Sequence, residues 1–309
     1  MRIKLPEGFN VEWMLNHIRS SSYGLPYHFV SQRVLRRPLR FADTDIIAEF
    51  DLSQSCAMEV RLCYCRSRLT QSAKKKSGLF KELRKQSEFI WGLNDAVQDY
   101  HVPMASDSHL ASLFKKFGTL RIIRTPDMYE ALLVAVLGQQ ISVHAAQAVR
   151  RRLMQKIGTR LTVTATSGKE HYYFYPAPQQ LIKAGESALR EQGISRQKAS
   201  YLLQIAKFGV EGELDRSVFA TLSDEDALKR LCKIKGVGRW TAEVALMRGL
   251  GRPDIFPAGD MGLQVAVQEL WGMPERPSEK VLRKIAERWA GWRSYAAFYL
   301  WMTLQSRAL

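Results

Sequence analysis

One stretch restricts the possible folds more than any other: LCKIKGVGRWTAEVALMRGLGRPDIFPAGDMGLQVAV, from Leu231 to Val267. It predicts a helix, a tight Gly236-Val237-Gly238 turn and a second helix over about Arg239 to Arg248. A Gly/Pro-punctuated loop and a third helix opened by Asp260 follow. The two glycines can adopt φ > 0 and leave backbone N–H groups uncovered, and the second helix begins there with its positive dipole end facing outward. Such a turn cradles an anion, with DNA phosphate the natural one; taken alone, it serves equally as an ordinary helix–helix turn. It is not a P-loop, because no G-K-[ST] follows, and Thr241 stands where a dinucleotide fingerprint needs its third glycine.

Asp260 follows Pro257-Ala258-Gly259 and precedes the apolar-periodic run Met261 to Leu270, the position of a helix N-cap. A carboxylate fixed at a helix mouth is also a rigid, positioned negative charge, so the two roles are compatible.

Charge narrows the partner. Among 309 residues, 46 Lys and Arg face 30 Asp and Glu, a net charge of +16. That excess attracts polyanions through steering and counterion release, and nucleic acid is the usual target. No apolar run approaches the ~18 residues of a membrane span. The N-terminal MRIKLPEGFNVEW lacks an apolar core, so no secretory signal and a cytoplasmic location are expected, nucleoid-associated if the source is bacterial. Cys56, Cys63, Cys65 and Cys232 fit neither a zinc module nor a disulfide framework, so reduced thiols are expected.

The hairpin with its following aspartate resembles the helix-hairpin-helix DNA glycosylases, and within them the 3-methyladenine DNA glycosylase II type. The hairpin reads GVGRWTA, with Trp240 twenty residues before Asp260. Three further blocks occur in the family's order: LLVAVLGQQISVHAAQAV (Leu132 to Val149), FYPAPQQLIKAGESALREQGISRQKASYL (Phe174 to Leu202) and WRSYAAFYLWMT (Trp292 to Thr303). Together they cover roughly residues 90–305. The resemblance implies an α+β fold, with a small N-terminal mixed α/β domain built on an antiparallel sheet (residues 1–105). A mainly α-helical helix-hairpin-helix region (106–309) follows, with the active-site cleft between two helical subdomains. Some relatives carry an iron–sulfur cluster on a C-terminal four-cysteine loop; with no cysteine after Cys232, none is expected here, nor any other cofactor.

The residues agree with that outline. Alternating segments His28 to Val34, Ile46 to Leu52 and Met58 to Cys65 predict strands, the last two an antiparallel pair around Ser53-Gln54-Ser55. Helices are expected over Val11 to Ile18 and Leu79 to Trp91, with Lys74-Lys75-Lys76 a solvated loop. Beyond Asp107 the pattern is almost wholly helical: Thr125-Pro126-Asp127 starts one helix, Gly138 ends it, and Ser142, Ser195, Ser223, Ser278 and Ser294 cap others. Thr164 to Tyr175 reads as a loop anchored on the core by Tyr172-Tyr173-Phe174-Tyr175.

The resemblance also assigns chemistry. Cleaving an N-glycosidic bond builds positive charge on the sugar, so the base must leave the stack and a negative charge must face the developing cation. Asp260 is the expected catalytic residue; at ~4 Å and an effective dielectric of ~20 the attraction is worth about 4 kcal/mol, roughly a thousandfold in rate. Trp240 and Trp301 are implied to line the base pocket, where an aromatic face contributes about 1–3 kcal/mol per stacked base. Val244 and Met261 occupy two pocket positions that are often aromatic in the family. DNA contacts are implied for Gly236, Val237, Gly238 and Thr241 of the hairpin. They are implied too for Gln139 and Gln140, the latter matching the wedge that fills the gap left by an extruded nucleotide. Bifunctional relatives carry a lysine where Trp240 stands, so monofunctional hydrolysis leaving an abasic site is expected. A monovalent cation at the backbone of Cys232, Ile234 and Val237 is a further implied feature, with no catalytic metal.

The expected function is therefore a monomeric glycosylase removing alkylated bases (3-methyladenine and 7-methylguanine type) from double-stranded DNA in base excision repair. The alternatives are the same fold acting on oxidised or deaminated purines, and a non-catalytic DNA-binding relative.

Overall fold

The computed structural model describes residues 1–20, 26–41, 44–65, 73–165 and 168–307. Its first third is a five-stranded antiparallel sheet with helices: β1 (Arg2–Lys4), α1 (Val11–Ser20), β2 (His28–Phe29), β3 (Val34–Phe41), β4 (Thr44–Gln54) and β5 (Ala57–Cys65). The spatial order is β1-β5-β4-β3-β2. Leu35 opposes Phe50 and Leu39 opposes Ile46 across β3 and β4, while Phe50 opposes Val60 across β4 and β5. All of these are fully buried in the main core, while Ile47 of β4, also fully buried, belongs to a separate apolar cluster.

The sequence pattern misses β3. Its VLRRPLRF run carries two arginines and a proline, yet Arg36 bonds Glu49 of β4 at 2.8 Å and Arg37 bonds Glu130 at 2.5 Å, so partners on other elements make the strand buriable. The expected strand over His28 to Val34 instead breaks after Phe29 and restarts at Val34.

Helices then dominate. α2 (Ala73–Ile90) takes in Lys74–Lys76, expected as a loop, and α3 (Val97–Ala105) and α4 (Ser108–Phe117) follow. α5 (Met128–Gly138) is capped by Asp127, which accepts the Glu130 amide at 2.7 Å. Thr125, the expected cap, instead donates its hydroxyl to the Asp127 and Arg248 carbonyls. Residues 131–137 of α5 are all buried, so this helix has no solvent face and acts as the axis around which the others pack.

α6 (Val143–Lys156) leads into a β-hairpin, β6 (Arg160–Ala165) and β7 (Gly168–Tyr173), where a loop was expected. Leu161, Tyr172 and Phe174 pack on Ile47 of the sheet, which supplies the apolar contact that so short and polar a hairpin lacks by itself.

The remaining helices are α7 (Pro178–Glu191), α8 (Arg196–Val210), α9 (Arg216–Phe219), α10 (Asp224–Cys232), α11 (Arg239–Ala245), α12 (Met261–Leu270), α13 (Glu279–Ala286) and α14 (Arg293–Gln305). α11 runs on into a π-helical turn, Leu246–Leu250. Ser142, Ser195, Ser223 and Ser278 cap their helices as expected. Ser294 does not: it is fully buried, with Trp292 at the cap position and its own hydroxyl bonded to Arg252 and Ile255. One apolar core runs from the sheet through α5 to α14.

Candidate active site

α10 and α11 build the predicted hairpin. Gly236 sits at φ +91°, and its α-carbon lies so close to the Tyr201 ring of α8 that a Cβ would overlap the ring. The Val237 amide donates to the Ile234 carbonyl at 3.0 Å, and the Val237 side chain is buried. Gly238, exposed, is the N-cap of α11 and brings no side chain to the helix's leading amides. The N–H groups on offer to an anion are thus those of the first turn of α11 rather than that of Val237.

The loop joining α5 to α6 stands beside this hairpin. Gln140 is exposed and has φ 54°, the one non-glycine among the described residues with positive φ. Its neighbours hold it there. Lys198 of α8 donates Nζ to the carbonyls of Leu137 (3.1 Å) and Gln139 (2.7 Å), closing the end of α5, and partial burial lowers its pKa. Gln139 turns its amide inward, donating to the Gly236 carbonyl at 3.1 Å and to Thr241 Oγ1 at 2.9 Å. Thr241 is itself buried. Of the six expected DNA contacts, Gln140 and Gly238 are therefore exposed, while the Gln139 and Thr241 side chains bond one another.

Asp260 caps α12, as its position before an apolar run requires, through Oδ1 and the Leu263 amide at 2.9 Å. Two indoles complete its shell: Trp301 Nε1 donates to Oδ1 at 2.9 Å, and Trp240 Nε1 to Oδ2 at 3.0 Å. Residues from α11, α12 and α14 thereby converge on one carboxylate. Three N–H donors fix both of its oxygens in place, and charge-assisted bonds of this kind are the strong ones.

The carboxylate faces a cavity of about 420 Å³, within the range of small-ligand pockets. Val134, Ala135 and Gly138 of α5 and Ile141 to Val143 form one wall; Trp240, Val244 and Arg248 form another; Trp301, Leu304 and Gln305 of α14 close it. Of the expected base-pocket residues, Trp240, Trp301 and Val244 line this space. Met261 does not; it is 65% exposed.

Three lining residues carry no sequence signal. Arg248 is buried, donates to the Ile123 carbonyl at 2.7 Å and sets its guanidinium 5.8 Å from the centre of the Trp301 ring. His17 reaches the cavity from α1, and Gln305 ends α14 one turn past Trp301. The double role of the tryptophans, as cavity walls and as donors to the carboxylate, is likewise a property only the fold reveals. A fixed carboxylate in an apolar cavity stabilises positive charge that develops beside it.

Behind the site, Glu243 of α11 is 1% exposed and bonds Arg239 at 3.0 Å and Arg283 of α13 at 2.9 Å; burial raises its pKa against the pull of both arginines. Among the described residues no group of His, Cys, Asp and Glu could hold a metal ion, and no helix is long and apolar enough to cross a membrane.

Residues 133–291 match the model of the HhH-GPD superfamily base excision DNA repair proteins. The chain is 34% identical over 211 residues to a DNA-3-methyladenine glycosylase of Bacillus subtilis (strain 168), covering 68% of each. It is similar in structure to a 3-methyladenine DNA-glycosylase from Archaeoglobus fulgidus, with a TM-score of 0.82 and 26% identity, covering 98% of this chain and 97% of that one. A Schizosaccharomyces pombe 3-methyladenine DNA glycosylase, solved in complex with abasic DNA, matches with a TM-score of 0.57 and 28% identity over 66% of this chain and 96% of its own.

Proposed function

Because the chain belongs to the HhH-GPD superfamily of base excision DNA repair proteins, we propose that Asp260 and its two tryptophans form the centre that cuts an alkylated base from DNA. The enzyme is a DNA glycosylase that hydrolyses the N-glycosidic bond and leaves an abasic site. One observation carries the assignment of the centre: Asp260 is held by Trp240, Trp301 and the Leu263 amide at the wall of a cavity wide enough for a base.

The steps follow from that geometry. The hairpin and the first turn of α11 take a phosphate, aided by the chain's charge of +16. Gln140 enters the duplex, where its amide can hydrogen-bond the orphaned partner base. A non-glycine residue held at φ 54° is the kind of strained position that functional loops retain. The extruded base meets the tryptophan-lined cavity, and as its bond to the sugar lengthens, Asp260 faces the growing positive charge. Trp240 offers no amine, so water completes the reaction and no Schiff base forms. The carbonyls of Cys232, Ile234 and Val237 are the groups that would hold a bridging monovalent cation; that of Ile234 has a lone pair left after accepting the Val237 amide.

We further assign residues 1–105 and 106–309 as the two domains, and action on damaged duplex DNA as a cytoplasmic monomer, one catalytic carboxylate serving one lesion. The test is free-base release from methylated duplex DNA by the wild type and by Asp260→Asn, with duplex affinity measured alongside. Release that disappears in the variant while binding persists supports the assignment. Equal release by both removes Asp260 from the chemistry.

A further inference from the structure

The cavity has one wall that the chemistry at Asp260 leaves unused. His17 of α1 is 2% exposed, its ring edge-on to Phe298 with centroids 4.9 Å apart, and its Nδ1 lies 2.8 Å from Gln305 Oε1. Both residues line the cavity. Nε2 of His17 is buried with no hydrogen-bond partner.

That orphan nitrogen decides which way the pair is wired. A carboxamide oxygen only accepts, so with Oε1 toward the ring, Nδ1 carries the proton and Nε2 is a bare lone pair. The reverse arrangement, with the carboxamide NH2 donating to a bare Nδ1, leaves Nε2–H as a buried donor with nothing to bond. Burial and the charge of Arg248 keep the ring neutral, and its single N–H is then the one that faces Gln305 Oε1. Gln305 therefore spends its oxygen on His17 and has its NH2 left for whatever fills the cavity.

Gln305 follows Trp301 by four residues on α14, a rise of about 6 Å. Trp301, one turn earlier, bonds Asp260, so the carboxamide of Gln305 in the same cavity can meet the part of a purine away from its glycosidic bond. Resting on the glycosylase reading above, we propose that Gln305, oriented by His17, is a specificity-determining residue that donates an N–H to the substituent at C6 of the extruded purine. The pocket then favours purines with a 6-carbonyl acceptor over those with a 6-amino donor. His17 is a positioning residue, and through it the N-terminal region takes part in substrate choice.

One methylated DNA sample holds both probes, 7-methylguanine with a carbonyl and 3-methyladenine with an amino group, and chromatography counts each released base. The ratio of the two kcat/KM values is the readout. Gln305→Glu, isosteric but without a donor, should lower the 7-methylguanine to 3-methyladenine ratio by roughly 3- to 10-fold, the range set by one hydrogen bond. His17→Phe should shift the ratio in the same direction, and should add nothing once Gln305→Leu is present. An unchanged ratio in Gln305→Glu overturns the proposal, and if His17→Phe does not fold that result decides alone. An undiminished His17→Phe effect in the Gln305→Leu background overturns the positioning role. Release of neither base by the wild type would instead overturn the glycosylase reading beneath it.

Discussion

Acid should weaken this protein through one residue in the cavity beside Asp260. Burial, and after it the positive charge of Arg248, push the His17 imidazole from 6.5 down to about 3, against a smaller raising effect of the Gln305 hydrogen bond. The unfolded chain takes up that proton below about pH 6.5 and the folded chain refuses it. A depressed group of this kind contributes stability that is fully present above its unfolded value and is lost as pH falls toward its folded one. At about pH 4.5 the unfolded imidazole is nearly all charged and the folded one is not, a difference of ~2.7 kcal/mol. His17→Phe keeps a ring against Phe298 and cannot bind the proton. Urea unfolding of both proteins at about pH 7 and pH 4.5 isolates the effect, because carboxylates titrate in both and cancel in the difference. The stability gap between wild type and variant should move by about 2–3 kcal/mol in favour of the variant on acidification. A gap constant to within about 0.5 kcal/mol would refute the neutral, desolvated imidazole, and a shift of opposite sign would mean the folded ring is charged.

Other positions make independent claims. Gly236→Ala combines a left-handed backbone with a methyl driven into Tyr201 and should cost more than ~2 kcal/mol, whereas a methyl at Gly238 meets nothing within 4 Å, so thermal unfolding should separate the two variants clearly. Trp301→Phe keeps an aromatic wall but removes the 2.9 Å donor to Asp260 Oδ1. Single-turnover base release should slow by about tenfold or more, with substrate affinity nearly unchanged. Arg283→Ala strips one of two cations from the buried Glu243, with an expected loss of about 2–4 kcal/mol by calorimetry. Adding Glu243→Gln should restore part of it; no recovery would argue against an uncompensated charge as the cause.

Local signals carried the sequence reading a long way. Ser142, Ser195, Ser223 and Ser278 are legible because a cap bonds within three residues of itself, and Asp260 is legible for the same reason. Where the partner is remote the reading fails. Ser294 has a cap's neighbourhood, but the Arg252 and Ile255 carbonyls claim its hydroxyl. β3 is hidden because its arginines are answered by Glu49 and Glu130 from elsewhere, and the β6–β7 hairpin because the surface that steadies it belongs to the sheet. The cavity follows the same rule. The motifs point to Trp240, Val244 and Trp301, which line it, whereas His17 and Gln305 stand 288 positions apart and nothing local pairs them.

The bonds that tie the site together also bear on how it could work. Gln139, expected to reach DNA, instead joins the Gln140 loop to the hairpin through Gly236 and Thr241, while Lys198 and Tyr201 of α8 support the two pieces from behind. A shift of the hairpin therefore carries the base of the Gln140 loop with it. Trp240 continues the connection from the same helix start to Asp260, and Trp301 closes it from α14. The hairpin, the Gln140 loop and the Asp260 carboxylate are thus held at fixed separations by hydrogen bonds and packing made on folding. Little ordering of these groups is left for the moment of binding, so more of the DNA contact energy can go into drawing a base out of the stack.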